Sequence, residues 1–529
     1  MSIVSVSFPL FALALCIVYY LVPGRFRWWV LLAFSLGFYA MAGLEYLPWL
    51  LLTAGTVWWS ARRIQSDIDR EKDWLASHKQ SASKEERAAF KAKGRKKRRR
   101  ILAACVLWNV GVLCAFKYVH FLLAQADQIA ILFGSRVYDS VQWLAPLGIS
   151  FYTFQTVGYL CDVYWGRAKA EGNPLRLLLF TSFFPQITQG PISAWNDLAG
   201  QLFAPHELDY NGFAKGSERL LWGYFKKMVI ANILSVYVNH VFDNYSGYTG
   251  IAAFLGVLCY AAQIYADFSG YMDIMCGLCQ ILGIRLTENF DRPYFSKSIA
   301  EYWRRWHISL GTWFKNYVYY PVAMAKWNQR LGKTAKNRLG KAFGSYLPAT
   351  LALVVTWLAT GLWHGASWSY IAWGGVNGLI IIFSMWMEGP YAKWKKALHI
   401  REEAWLWRAF QVGRTFLLVS MIKVLPEVGT LAEGFGLWKQ IFVSQSPLRS
   451  LDDLLPFVDN FHNLLIVLIG ILLMLVVSLL QRRGSVRDRM EQKLPYLLRV
   501  FAFVVLFILI VYYGVPASGG LGDFMYAQF

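Results

Sequence analysis

Apolar runs recur along almost the whole of this 529-residue chain, separated by short polar or basic segments. Crossing ~30 Å of hydrocarbon takes about 20 apolar residues. Candidate spans are Val6–Val22, Trp28–Ala42, Tyr46–Trp59, Ile101–Tyr118, Tyr346–Trp363, Trp368–Met387, Trp405–Val424, His462–Leu480 and Leu497–Tyr513. Between Tyr118 and Pro321 the pattern loosens. Apolar stretches at Trp143–Leu160, Leu175–Ile187, Leu220–Val241 and Ile251–Leu282 are interrupted by Gly, Pro and charge. Irregular backbone at membrane depth survives only where it lines a protein cavity, so the middle third is where a site is expected. The pattern predicts an all-α polytopic membrane protein of roughly ten to twelve crossings at this spacing, forming one embedded unit over 1–529.

Composition agrees. The chain is 56% hydrophobic, 17% aromatic and only 16% charged, with a mean hydropathy of +0.36. A soluble chain carries roughly 25% charged residues. The first apolar run lacks a basic leader and a small-residue cleavage site, so it is expected to stay as a membrane helix.

The net charge of +21 is gathered between apolar runs, which the positive-inside rule explains without a nucleic-acid partner. The basic loop 61–100 ends in Lys93, Arg95, Lys96, Lys97, Arg98, Arg99 and Arg100 and is placed in the cytoplasm. Lys333–Lys341, Lys393–Lys396 and Arg482–Lys493 fall on the same side under one alternating scheme, with both termini outside. The loop 426–460 carries Glu427, Glu433, Asp452, Asp453 and Asp459 and faces out in that scheme. With Ser81, Ser83, Glu85, Glu86 and alanines before its basic run, the loop has a helical, solvated composition, and it has two readings, contact with anionic membrane lipid or docking of an acidic cytosolic carrier.

The seven cysteines lie almost wholly in apolar segments and form no disulfide framework. Cys276 and Cys279 lack a second pair, so no metal is expected. G-x-S-x-G, H-E-x-x-H and Walker A motifs are absent, as is the internal repeat of many transporters.

Ionisable residues in apolar surroundings are costly and mark candidate sites. His307 sits in Glu301-Tyr-Trp-Arg-Arg-Trp-His-Ile-Ser-Leu310, and His364 sits in Gly361-Leu-Trp-His-Gly-Ala-Ser-Trp368 between two apolar runs. Either imidazole could be a hydrogen-bonded packing group or a base working near neutrality. Arg304 and Arg305 could snorkel to the inner interface or hold the phosphates of an activated donor, and Asn316 follows closely. Gln263, Asp267, Ser269, Tyr271 and Asp273 interrupt a mostly apolar stretch, where they line a polar cavity or hold the fold.

Five segments resemble the membrane-bound O-acyltransferase (MBOAT) family. They are Pro146-Leu-Gly-Ile-Ser-Phe-Tyr-Thr-Phe-Gln155, Phe183-Phe-Pro-Gln186 with Gly190-Pro-Ile192, Gln263 to Asp273, Tyr302 to His307, and Gly361 to Gly365. The similarity is to the branch of alginate O-acetylation and teichoic-acid D-alanylation proteins, whose ending Phe524–Phe529 also resembles. Ile422-Lys423 stands where that branch often has Phe-Arg, and Val322–Lys326 replaces a Gly-rich stretch.

The resemblance implies a ring of helices around a central funnel, a motif-bearing catalytic core over 146–365, and a bacterial cytoplasmic-membrane location. It makes His364 the catalytic base and His307 its companion. It implies a cytosolic thioester donor, either acetyl-CoA or a carrier-protein thioester, and no bound cofactor. The acceptor would be a cell-surface polysaccharide or an extracytoplasmic SGNH-type partner protein, with acetyl transfer as the leading expectation. D-alanyl transfer to teichoic acid is the alternative within the chemistry. A secondary transporter or lipid flippase, or a non-catalytic assembly protein, stands outside it.

Overall fold

A computed structural model describes residues 2–133, 145–444 and 461–515. Trp143, Asp452, Asp453, Asp459 and the segment Phe524–Phe529 lie outside the described residues. Among the described residues the chain is helical, with no strand beyond an isolated bridge between Phe290 and Trp306. Contacts divide it into two compact units, Ser7–Gly212 with Cys279–Thr287, and Ser2–Val6 with Phe213–Leu278 and the chain from Glu288 onward.

The first unit contains α1 (Ser7–Leu21), α2 (Arg27–Ala40), α3 (Leu47–Ser77) and α4 (Lys84–Ile131). These are followed by α5 (Ile149–Tyr164), α6 (Pro174–Ser182), α7 (Phe184–Ile187) and α8 (Trp195–Phe203). The segment expected as the basic loop 61–100 is a helical hairpin made by the ends of α3 and α4. Ser83 and Glu86 form a capping box at the start of α4, which satisfies two orphan backbone donors at once. Trp74 stacks on Phe90 at 4.1 Å, and Lys97–Asp67 (2.8 Å) and Arg98–Glu71 (2.6 Å) link the two arms.

Two of the resembling motifs prove to be one packing unit. Gly148 has φ 66°, and a Cβ there would sit 1.9 Å from the Ile187 carbonyl oxygen, so only glycine fits. Seven residues on, Gln155 donates to the Gln186 side chain at 3.0 Å, and both are buried.

The second unit holds α9 (Tyr210–Tyr224), which enters it at Phe213, α10 (Asn232–Asp243) and α11 (Gly250–Ile281), which leaves it after Leu278. Then come α12 (Ile299–Arg305), α13 (Ile308–Phe314), α14 (Tyr320–Ala323), α15 (Lys326–Leu339), α16 (Lys341–His364) and α17 (Trp368–Trp386). The last are α18 (Glu388–Ala397), α19 (Trp405–Lys423), α20 (Leu431–Val443), α21 (Phe461–Gln481), α22 (Val486–Lys493) and α23 (Tyr496–Tyr513).

Among the described residues, α4, α11, α16, α17, α21 and α23 are long and apolar enough to cross a membrane. The α2–α3 region, bent by 113°, makes a seventh candidate. Other expected crossings fall short of that standard for two reasons. Some helices are short, such as α1 at 15 residues. Others carry charge, such as α19 with Arg408, Arg414 and Lys423.

The stretch Ile251–Leu282, expected to be interrupted, is the continuous 32-residue helix α11. Glycines explain how it tolerates polar residues. A Cβ on Gly277 would lie 2.6 Å from the Gly216 carbonyl oxygen, and one on Gly223 would lie 2.7 Å from that of Gly270. The backbones of α9 and α11 therefore approach closely, as small residues permit between membrane helices. A π-helical segment, Phe225–Ala231, continues α9 and carries buried Lys226 and Lys227. Lys227 pairs with Asp267, while Lys226 reaches Asp273 (2.6 Å) and Ser269 (2.8 Å).

Candidate active site

The two histidines reach their positions by different backbone devices. His307 lies at the break between α12 and α13 with φ 47°, a left-handed conformation that is uncommon outside glycine. Asn289 fixes this break. Its carbonyl accepts from Ile308 N (3.1 Å) and its side-chain oxygen from Ser309 N (2.9 Å). Asp291 N donates to the Arg305 carbonyl (3.0 Å), which secures the segment before it. The His307 ring meets Phe268 edge-on at 4.8 Å and is 2% exposed. It lies outside the spanning helices, and desolvation pushes its imidazole down to about 3, so it is neutral at physiological pH.

His364 is the last residue of α16. The turn behind it depends on close approach. A Cβ on Gly365 would fall 2.1 Å from the Tyr370 ring, and one on Gly361 would fall 2.5 Å from the Tyr370 carbonyl oxygen. The imidazole packs edge-on to Trp373 at 4.9 Å and lies nearly parallel to Tyr370 at 6.3 Å.

A cavity of about 440 Å³ is lined by His307, His364, Trp303, Arg304, Trp306 and Lys315, among others. A second, of about 30 Å³, is lined by His364, Trp303, Trp306, Lys423, Glu427 and Tyr260, among others. His364 and the two tryptophans border both, so they form the partition between them. Trp303 is fixed there by its indole N–H donating to Asn377 (3.0 Å) and by Trp357 and Trp373 at 5.2 and 5.4 Å. Glu427 accepts from the Tyr260 hydroxyl at 2.9 Å, and burial raises its carboxyl to about 7.

The residues singled out from the sequence thus separate. His364, His307 and Arg304 come together around the large cavity. Arg305 instead pairs with Glu301 one turn earlier, at 2.7 Å. Ser269 and Asp273 line a different cavity, of about 80 Å³, with Arg219 and Lys226. Asp273 is held there by Arg219 at 2.8 Å as well as by Lys226. Asp267 is taken up by Lys227, while Gln263 and Tyr271 are buried in α11. Asn316 is not in the wall of either cavity that touches His364.

Sequence reasoning did not single out Trp303, Trp306 or Lys423 as site residues. The available signal for Lys423 was a charge at the far end of the run Trp405–Val424, nine residues beyond Arg414 and after an apolar stretch, 416–422, interrupted only by Ser420. Among the described residues no group of three His, Cys, Asp or Glu side chains is placed to hold a metal.

The family model for MBOAT, the membrane-bound O-acyltransferase family, matches residues 171–335, which include His307 but end before His364. The probable alginate O-acetylase AlgI of Pseudomonas aeruginosa is 33% identical over 413 residues, covering 77% of this chain and 72% of that protein. The peptidoglycan O-acetyltransferase of Helicobacter pylori is 31% identical over 299 residues, 52% of this chain and 53% of its own. The teichoic acid D-alanyltransferase of Bacillus subtilis is 28% identical over 252 residues, 47% and 60% of the two chains. The chain belongs to the membrane-bound O-acyltransferase family and is a multi-pass membrane O-acyltransferase.

Proposed function

We propose that this enzyme passes an acetyl group from a cytosolic thioester to an acceptor hydroxyl presented from outside a bacterial cytoplasmic membrane. The acceptor is a cell-surface polysaccharide, or an SGNH-type partner that completes the transfer. The observation that carries this reading is the placement of His364 in the wall of the large cavity with His307, Arg304 and Lys315, since a base in that position can meet a thioester donor and an acceptor hydroxyl together.

A thioester is already activated, so the protein's task is to position it, remove the hydroxyl proton and stabilise the oxyanion. His364 takes the proton as general base. His307, neutral and rigidly held, orients the donor in the large cavity. Arg304 and Lys315 line that cavity too and supply positive charge for the donor's phosphates, whether on a coenzyme or a carrier protein. Arg305 is engaged by Glu301 and serves the fold. The names of the alginate and peptidoglycan relatives support acetyl as the group and a polysaccharide as the destination.

The test is the ester content of surface polymer in cells carrying wild type, His364→Ala or His307→Ala at matched membrane levels. Loss of ester with His364→Ala is expected, and acetate should be the acid released by alkali. Release of D-alanine would replace acetyl by D-alanyl. Unchanged ester with His364→Ala would remove its catalytic role.

A further inference from the structure

Lys423 is the least compensated charge near the proposed chemistry. It closes α19, is 4% exposed, and its Nζ makes no hydrogen bond among the described residues. Instead it stands 3.1 Å from the centre of the Trp306 ring, with Tyr302 and Tyr294 at 5.4 and 5.6 Å. Three aromatic faces attract an ammonium but accept none of its protons in a strong hydrogen bond. Burial pushes the Lys423 amine well below its usual range, so its charged form is costly until something negative arrives beside it.

The location says what could arrive. Lys423 lines the cavity of about 30 Å³ that also touches His364, and Trp306 under its ammonium is part of the partition. That volume has room for one or two water-sized groups and none for a sugar ring. The acid in its wall, Glu427, is engaged by Tyr260. Trp303, the other partition residue with an indole N–H, has given it to Asn377. A single negatively charged oxygen, formed beside His364, fits both the size and the unmet donors.

We propose that Lys423 is a catalytic residue whose Nζ donates to the oxyanion formed on the acyl carbonyl during transfer. The proposal rests on the acyl-transfer reading of His364. In the addition step the acceptor oxygen bonds to the carbonyl carbon, its proton goes to His364, and the carbonyl π pair moves onto oxygen facing Lys423. In the collapse step that pair re-forms C=O, the C–S bond breaks, and the thiolate leaves with the proton held by His364. Lys423 gives up no proton in either step. The ring of Trp306 beneath it keeps Nζ in place before the charge develops, which is what makes such a donor effective.

The test uses the full-length chain in membrane vesicles that retain envelope polymer, supplied with labelled acetyl-CoA. Lys423→Met, Lys423→Arg and His364→Ala are compared at equal amounts of folded protein. Removing one oxyanion donor lowers turnover by roughly 10²–10³. Lys423→Met should therefore lose that much maximal rate while the donor KM moves less than about threefold. Lys423→Arg, which keeps charge and donors, should recover at least about tenfold over Lys423→Met.

A Lys423→Met enzyme within about threefold of wild type overturns the proposal, as does a change confined to KM. So does an arginine variant no better than methionine. Should Lys423→Met fail to reach the membrane, Lys423→Gln, with neutral N–H donors, is judged by the same rate-against-KM split. If His364→Ala forms as much ester as wild type, the acyl-transfer reading of the site fails. If His364→Ala is inactive while Lys423→Met is fully active, only the oxyanion assignment fails.

Discussion

The second unit buries charge in two regions that solve the same physical problem in opposite ways. Between α9 and α11, each buried cation is matched to a carboxylate: Lys227 to Asp267, Lys226 to Asp273, and Arg219 to Asp273 and Glu288. Around His364 the titratable groups are set among indole and phenol rings, with cavities on two sides. Mutual neutralisation leaves a group little capacity to act on a substrate. Surrounding it with rings and space preserves that capacity. The difference separates polar residues that hold the fold from polar residues that do chemistry, although both looked alike as interruptions of apolar sequence.

The largest expected effect breaks the second region alone. His364→Ala should lower ester formation by about 10²–10⁴, the range for a general base, while thermal unfolding of the purified protein stays near wild type. Gln at the same position should not restore activity. A fall in both stability and activity would make His364 a packing residue and erase the contrast.

Breaking the first region should do the reverse. Asp267→Ala leaves the Lys227 ammonium buried without its carboxylate, at a cost of about 3–5 kcal/mol. The expected outcome is a sharp fall in folded protein recovered from membranes, with near-normal turnover in what remains. The double change Asp267→Leu with Lys227→Met removes both charges and should recover much of the loss. A double variant as poor as the single one would argue that the pair does more than neutralise itself.

A smaller effect concerns the turn that aims His364. Gly365→Ala must displace the Tyr370 ring, since the added carbon would fall 2.1 Å from it. Overpacking of this kind costs about 1–3 kcal/mol, and a displaced base should lower turnover more than donor KM. Initial rates at matched protein levels decide it. Unchanged kinetics would mean that the ring yields freely and does not position the histidine.

How far the sequence discloses this division depends on the signal. Helices announced by long apolar runs are found nearly residue for residue, as with Trp368–Met387 against α17 (Trp368–Trp386) and Leu497–Tyr513 against α23 (Tyr496–Tyr513). The helical, solvated composition of 61–100 was legible from Ser81 to the alanines before the basic run, whereas the ion pairs that join its two arms into a hairpin were not. His307, His364 and Arg304 were legible as costly polar residues in apolar surroundings. Which of the other polar residues would be neutralised was not. That depends on Lys226 and Lys227, some 40 residues before their carboxylates in sequence and brought to them by glycine-mediated packing. Nor could apolar pattern disclose Trp303 and Trp306 as a partition, since an aromatic wall and an aromatic core have the same composition.

The finest test of the comparison lies in the backbone at His307. Its φ of 47° costs an ordinary side chain about 1 kcal/mol or more, whereas Gly carries no such penalty and Asn tolerates the region better than most. His307→Ala therefore mixes loss of the imidazole with strain. His307→Asn and His307→Gly separate them, since both relax the backbone and only Asn keeps a polar side chain in the cavity wall. If the imidazole matters to transfer, all three should lose turnover, with Gly as low as Ala despite equal or better stability. If the conformation alone matters, Gly should match wild type in both rate and unfolding temperature. His307 would then belong with the fold-holding residues of α9 and α11, and the catalytic region would shrink to the partition around His364.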